Sequence, residues 1–346
     1  MANGRPPGGT GTGVALMPET DDLLLMLKVA EAYYQFHQTQ QMIARDLGVS
    51  RSTVSRLLSR AIDEGIVQIQ IRNPFTNAEK VAADLRRALG LREVVVVPTN
   101  VDRPDLIAKK IGAAAARYLL EHVAPDSILG VGRGRTVYET VQALPVRANL
   151  GVKVVPLTGG VGPHDKHFQV NELARLTAEK LGGECRYLYV PALVHSGEAK
   201  MTLLSDPQIK RTVALWDSLD WALVGIGAIA DGYPSLGKVM KALSQAGEHR
   251  SIVGDICLWL LEDNGTVFFS RRTNCLVAIS PDQLRRIPNV VAVAGGTAKV
   301  DVIIAASKTG IPKILVIDEP TARAIIDRLS PLGGRSGDQR RPLDAR

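Results

Sequence analysis

From residue 76 to residue 330 short apolar runs rich in β-branched residues alternate with amphipathic stretches of helical spacing, without an internal sequence repeat. That alternation leaves little choice of architecture. Strands apolar on both faces and helices with one apolar stripe satisfy each other in a mainly parallel, doubly wound sheet covered by helices. The pattern predicts strands over 93–97, 127–131, 152–157, 187–190, 221–226, 290–294 and 314–317. Helices are expected from Thr76 or Asn77 to Leu89 with Gly90 as the stop, over 104–122, and over 136–144. Asp263-Asn264-Gly265, between two apolar runs, reads as a hairpin turn. Ligands of such a sheet sit outside the carboxyl ends of its strands.

The first 75 residues follow a different rule. Residues 1–18 are rich in Gly and Pro and are expected to be disordered. A first helix is expected from Asp21, on the spacing of Leu24, Leu27, Ala30 and Tyr34. A second should run from Gln40 to Leu47 and a third from Arg51 to about Glu64, closed by Gly65. Val67, Ile69 and Ile71 then alternate with polar residues as a strand. The pair of helices joined by Gly48-Val49-Ser50 meets the demands of a helix-turn-helix. Ala44 is small where the backbones meet, Gly48 supplies a positive φ, and Ile43, Leu47, Val49, Val54 and Leu57 point to a shared core. Ser50, Arg51, Ser52, Thr53, Ser55, Arg56 and Arg60 face outward, and all can bond phosphates or base edges of double-stranded DNA. Arg51, nearest the helix start, is the candidate base reader, and Arg60 is expected along phosphates. The domain boundaries follow as 1–18, 19–75, 76–330 and a polar tail over 331–346.

Charge must be weighed locally. The 346 residues carry a net charge of +7, yet residues 1–75 hold seven basic and seven acidic side chains. Positions 45–60 hold four Arg against one Asp, so a neutral domain presents one basic face. Aromatic residues make up 4%, too few for a stacking platform on single strands. No apolar run reaches the roughly 18 residues of a membrane span, and the N-terminus lacks the apolar core of a signal peptide. Three cysteines without metal-ligand spacing suit a reducing cytoplasm.

Three glycine loops close predicted strands. Gly130-Val131-Gly132-Arg133-Gly134-Arg135-Thr136 opens a helix, so free N–H groups with Arg135 and Thr136 form a candidate phosphate cradle. It is neither a Walker A loop nor a dinucleotide fingerprint. Thr158-Gly159-Gly160 repeats the device, with Gln169 and Asn171 as groups able to grip hydroxyls. Gly295-Gly296 precedes Lys299, a cation in a first helical turn where an anion partner would suit it. Asp231, Asp255 and Glu262 lie near strand ends, and Asp255 joins Gly132 and Gly134 among the candidate effector contacts. His164, Asp165 and His167 give too few ligands for a metal. No cofactor, metal or catalytic residue is expected, because no cluster of acids and histidines lies beside the loops.

With these residues in view, the run VAEAYYQFHQTQQMIARDLGVSRSTVSRLLSRAIDEGIVQIQI resembles the N-terminal segment of SorC-type sugar-binding transcriptional regulators. The likeness continues through GVGRGRT, VPLTGGVG, VGIG, GDI and VAVAGGTAK, over roughly residues 20–330. It implies operator binding by the helix-turn-helix and a large domain of sugar-phosphate isomerase and deaminase fold that has lost catalysis and binds a phosphorylated sugar. It also implies phosphate contacts at Arg135 and Thr136, a second site at Gly159, Gly160 and Gln169, and a third at Gly295, Gly296 and Lys299. Two positions depart: Arg133 stands where many relatives have an aromatic, and His37 where glycine is common. The expected protein is a cytoplasmic homo-oligomer, a tetramer built from dimers, that shifts its operator affinity on binding effector. The rival readings are a sugar-phosphate isomerase or deaminase and a DNA-bridging protein with a vestigial pocket.

Overall fold

A computed structural model describes residues 18–67, 69, 77–145, 149–161, 169–229, 252–269 and 271–330. The chain divides into two compact units, residues 1–72 and 73–346. The expectations for residues 1–17, His164, Asp165, His167, Asp231 and the tail lie outside the described residues.

The first unit is helical. Helix α1 spans Pro18–Ala30, starting three residues before the expected Asp21, and winds on into a π turn at Glu31–Gln35. Helix α2 is Gln40–Asp46 and α3 is Arg51–Asp63. Both start on a capped N-terminus: Thr39 Oγ1 accepts the Met42 N–H and Ser50 Oγ accepts the Thr53 N–H. Gly48 has φ +65°, the left-handed conformation the turn needs. Met26, Val29, Ile43, Ala44, Val54, Leu57 and Leu58 form the core, with Val49 packed partly against it. Leu47 departs from expectation. Because α2 ends at Asp46, Leu47 sits at the C-cap and its side chain is 37% exposed. Of the expected strand, Val67 and Ile69 are not in a strand, and residues 68, 70 and 71 lie outside the described residues.

The second unit carries strands β1 Glu93–Val97, β2 Ile128–Val131, β3 Lys153–Pro156, β4 Glu184–Cys185, β5 Trp221–Ala228, β6 Ile252–Ile256, β7 Trp259–Glu262, β8 Asn289–Val293 and β9 Ile314–Asp318. The order β1-β9-β8-β5-β2-β3-β4 is parallel throughout, and β6 and β7 add antiparallel to β5. From β2 the chain runs outward through β3 and β4, returns to β5 on the other side of β2, and continues through β8 and β9. The sheet is thus doubly wound with its switch point between β2 and β5. Two buried clusters pack against it, one around Ile111, Leu129, Val154 and Val291, the other around Leu157, Val224, Val290 and Ile317.

Helices α4 Ala78–Leu89, α5 Pro104–His122 and α6 Arg135–Ala143 match expectation to within a residue or two, and Gly90 ends α4 with φ +65°. Asn77 is the N-cap of α4 by position, but its side chain makes no capping bond. One strand is misplaced by the sequence pattern. Tyr187–Val190 is irregular, because the Asn171 side chain takes both backbone groups of Leu188, donating to its C=O at 3.0 Å and accepting its N–H at 2.9 Å. The paired residues are Glu184 and Cys185 instead. Asp263-Asn264-Gly265 does turn the chain, between the bridged Leu261 and Val267.

Candidate functional site

On the helix-turn-helix unit the outward residues divide by what they already bond. Ser50, beyond capping α3, lies 2.8 Å from the hydroxyls of both Ser52 and Thr53, so three of the candidate DNA contacts form one capping cluster. Arg60 spans two acids: its Nη1 lies 2.8 Å from Asp22 Oδ2 on α1, and its Nε donates to Glu64 Oε1 at 3.0 Å. These bonds hold its guanidinium above its ordinary pKa. Arg60 therefore braces α1 against α3. Arg51, Ser55 and Arg56 are exposed, and among the described residues neither Arg51 nor Arg56 has a hydrogen bond or ion pair. Arg51 also borders an open concavity of about 860 Å³ with Tyr33, Tyr34, His37, Gln38, Thr39, Gln40 and Gln41. His37 has φ +54°, so the glycine-like position is a turn adopted by a histidine. The polar run Gln38–Gln41 was overlooked in the sequence because it precedes the helix whose amphipathic period draws attention.

In the large unit the structure brings together the first and third loops and leaves the second apart. Arg135, Thr136, Gly295, Gly296 and Lys299 line a cavity of about 150 Å³ with Asp102, Pro104, Ile107, Ala108, Thr297 and Ala298. It lies where the chain leaves β1, β2 and β8, beside the switch point. Gly134, with φ +133°, is the uncapped N-cap of α6 and lets Arg135 start that helix at the cavity. Lys299 ends the 3-10 turn Thr297–Lys299 that leads into helix Val300–Lys308, and its Nζ donates to the Ile226 C=O at 2.9 Å. The lysine thus leans on β5 while it borders the cavity. Asp318, 1% exposed, accepts the Gly296 N–H at 2.9 Å and shapes the third loop. Burial holds the Glu139 carboxyl above its ordinary pKa, while Lys109 and Arg135 pull it down. Asp102 and Asp318 gave no sequence signal: each is one acid among 35.

Several of the other candidates are engaged within the fold. Gly132 donates its N–H to the Leu223 C=O, Gly159 to the Val277 C=O and Gly160 to the Val190 C=O, so none of these amides is open to a phosphate. A Cβ on Gly159 would lie 2.6 Å from the Pro191 carbonyl carbon, so this glycine serves close backbone approach. Gln169 borders Gly160, whose added Cβ would come 3.8 Å from Gln169 Oε1. Thr158 is fully buried. Asp255, 6% exposed on β6, accepts the Leu258 N–H at 3.0 Å. Neither Thr158, Gln169 nor Asp255 lines the cavity. Among the described residues no group of three His, Cys, Asp or Glu could hold a metal ion, and no helix is long and apolar enough to cross a membrane.

Residues 73–327 match the family model described as "Putative sugar-binding domain". The deoxyribonucleoside regulator of Bacillus subtilis is 32% identical over 88% of this chain and 98% of its own length. The sorbitol operon regulator of Klebsiella pneumoniae is 32% identical over 90% of this chain and all of its own. The crystal structure of that full-length regulator, SorC, superposes with a TM-score of 0.72, covering 88% of this chain and 99% of that one. The transcriptional regulator LsrR of Escherichia coli K12 is 30% identical over 86% of this chain and 93% of its own.

Proposed function

The chain belongs to the sugar-binding family of SorC- and DeoR-type transcriptional regulators, and from that premise we propose that it binds operator DNA under the control of a phosphorylated sugar. It is a transcriptional regulator with a sugar-binding domain, not a sugar-phosphate isomerase or deaminase. The observation that carries the effector reading is the meeting of Arg135 and Lys299 on one small cavity at the strand ends. Two cations beside the uncapped start of α6 suit an anion, and the helix dipole adds to the attraction. Thr136, Gly295 and Gly296 supply the cavity wall, and Asp102 is placed to accept a sugar hydroxyl.

Arg51 and Arg56 supply the free cations of α3, with Ser55 beside them, and in this reading α3 enters the major groove. The protein works as a homo-oligomer, a tetramer built from dimers, so that paired helix-turn-helix units meet half-sites about one helical turn apart. Operator DNA places it in the cytoplasm. Effector binding changes operator affinity by a coupling of ~1–3 kcal/mol, and DNA must change effector affinity by the same factor.

The test is a gel shift on operator sequences selected from a random pool, with and without sugar phosphates, beside thermal melting with the same compounds. Salt-sensitive, sequence-preferring binding that a sugar phosphate changes, with a melting shift and no turnover, is the expected result. Absence of sequence preference, or indifference to every sugar phosphate, would overturn it.

A further inference from the structure

The sheet of the second unit ends on β4, whose residues Glu184 and Cys185 pair with β3 on one side. Among the described residues no strand pairs with the other side. Which backbone groups face that open side follows from the bonds already made. Glu184 donates its N–H to the Val152 C=O at 2.9 Å, and Arg186 donates its own to the Val154 C=O at 2.8 Å. Backbone groups alternate in direction along a strand, so the N–H and C=O of Cys185, between them, point away from β3. An open edge of this kind is a template for another strand.

The side chains on the edge decide which strand fits. Glu184 and Arg186 lie on one face of the sheet, where they form an ion pair at 2.7 Å, and both are about half exposed. They flank Cys185 with opposite signs. If the segment pairs antiparallel with a second copy of itself about a twofold axis at Cys185, the two Cys185 residues exchange both of their outward backbone bonds. The same register sets Glu184 directly opposite the partner subunit's Arg186, and Arg186 opposite the partner subunit's Glu184. Moving the axis by one residue either way would set like charges opposite each other, so the charges select this register.

The ground beside the edge has the residue types of a contact surface. Tyr187 and Tyr189 stack with ring centroids 5.3 Å apart and planes 8° from parallel, and Tyr189 is well exposed. Cys185, Arg186, Tyr187 and Arg211 border an open concavity of about 610 Å³. Tyr and Arg are enriched where proteins meet, and a concavity at a strand edge gives the side chains of a second copy room to pack.

Resting on the homo-oligomer reading above, we propose that β4 is one of the surfaces that hold the oligomer together. Two copies join antiparallel at Cys185, so that one sheet continues across the twofold axis with two Glu184–Arg186 pairs between the subunits. The stacked tyrosines and Arg211 lie at the margin of this contact.

The experiment is sedimentation of the full-length protein over a dilution series, beside Arg186→Glu and the double variant Glu184→Arg with Arg186→Glu. The single change sets a carboxylate opposite Glu184 on both sides of the axis. The dissociation constant between copies is expected to rise about tenfold or more. The double exchange restores opposite charges in reversed order and should return the constant to within about threefold of the unaltered protein. Such a recovery separates the interface from a folding defect, because the double variant carries both changes. A dissociation constant unmoved by Arg186→Glu, or one that stays weak in the double variant, overturns the interface while leaving the homo-oligomer reading intact. A monomer at every concentration of the unaltered protein overturns both.

Discussion

The buried carboxylate of Asp318, at the end of β9, accepts the N–H of Gly296 at 2.9 Å and so ties the cavity loop after β8 to the neighbouring strand. The same carboxylate accepts the Thr321 N–H at 3.0 Å and the Thr321 hydroxyl at 2.8 Å, capping helix Glu319–Leu329. Asp318→Ala removes a helix cap and leaves a part-buried donor unmade. The expected loss is about 2 to 4 kcal/mol, read from the urea midpoint. Effector affinity should fall as well, because Gly296 lines the cavity. A loss under about 0.5 kcal/mol would mean that water replaces the carboxylate at no cost.

The three arginines of α3 should separate in a binding assay. Arg51→Ala and Arg56→Ala are expected to weaken operator binding, and wherever the arginine met a phosphate its removal should flatten the salt slope by about 0.9. A base-reading arginine instead costs about 1 to 3 kcal/mol on the cognate sequence alone. Arg60→Ala acts on the fold, since its partners are Asp22 and Glu64. With side chains 41% and 51% exposed, the pair with Asp22 is screened by water and adds little to stability. Equal effects of all three substitutions on DNA binding would contradict this division.

Gly159→Ala tests the second loop as a packing element. An added methyl would press on the Pro191 and Ala192 backbone, at 2.6 and 2.7 Å, with no flexible side chain to yield. Overpacking of this kind costs about 1 to 3 kcal/mol, visible as a lower melting temperature with or without effector. Gly160→Ala meets only ordinary contacts, 3.8 Å to Gln169 Oε1 and 3.9 Å to the Val190 oxygen, and should be tolerated.

Glu139 sets a pH dependence. Burial raises its pKa above the unfolded value, against the pull of Lys109 and Arg135, with Asp105 adding to the rise. Between the two values the native protein holds more protons than the unfolded chain, so stability falls as pH rises through that window. The penalty is complete above the folded value. Glu139→Gln should therefore melt higher than the unaltered protein at pH 7, and the difference should vanish below about pH 4. A variant that melts lower at pH 7 would show that the attraction of Arg135 and Lys109 outweighs burial.

Much of the fold was legible before any coordinates. Periodicity located β1, β2, β5, β8, β9 and the long helix Pro104–His122, because burial on both faces of a parallel strand and on one stripe of a helix is a local pattern. It failed at 187–190, where the Asn171 amide takes both backbone groups of Leu188 that a neighbouring strand would otherwise pair. It also missed the antiparallel pair β6 and β7, whose tight turn uses Cys257 and Leu258 where Asn-Gly would have announced it.

The site divides in the same way. Residue types at glycine-rich strand ends pointed to Arg135, Thr136, Gly295, Gly296 and Lys299, and the helix-turn-helix spacing pointed to Arg51 and Arg56. The order of residues was enough to specify the two architectures and the polar character of their faces, since both follow from which side chains can leave water at a given period. Which polar groups are still available depends on the packed molecule. Arg60 is engaged by Asp22, 38 positions away in the chain, Gly159 by Val277, and Lys299 by Ile226, whereas the buried Nε of half-buried Arg133 is unmade. A hydrogen bond between residues far apart in the chain leaves no trace in local spacing. Whether a donor is spent or free is therefore settled only when the strands come together.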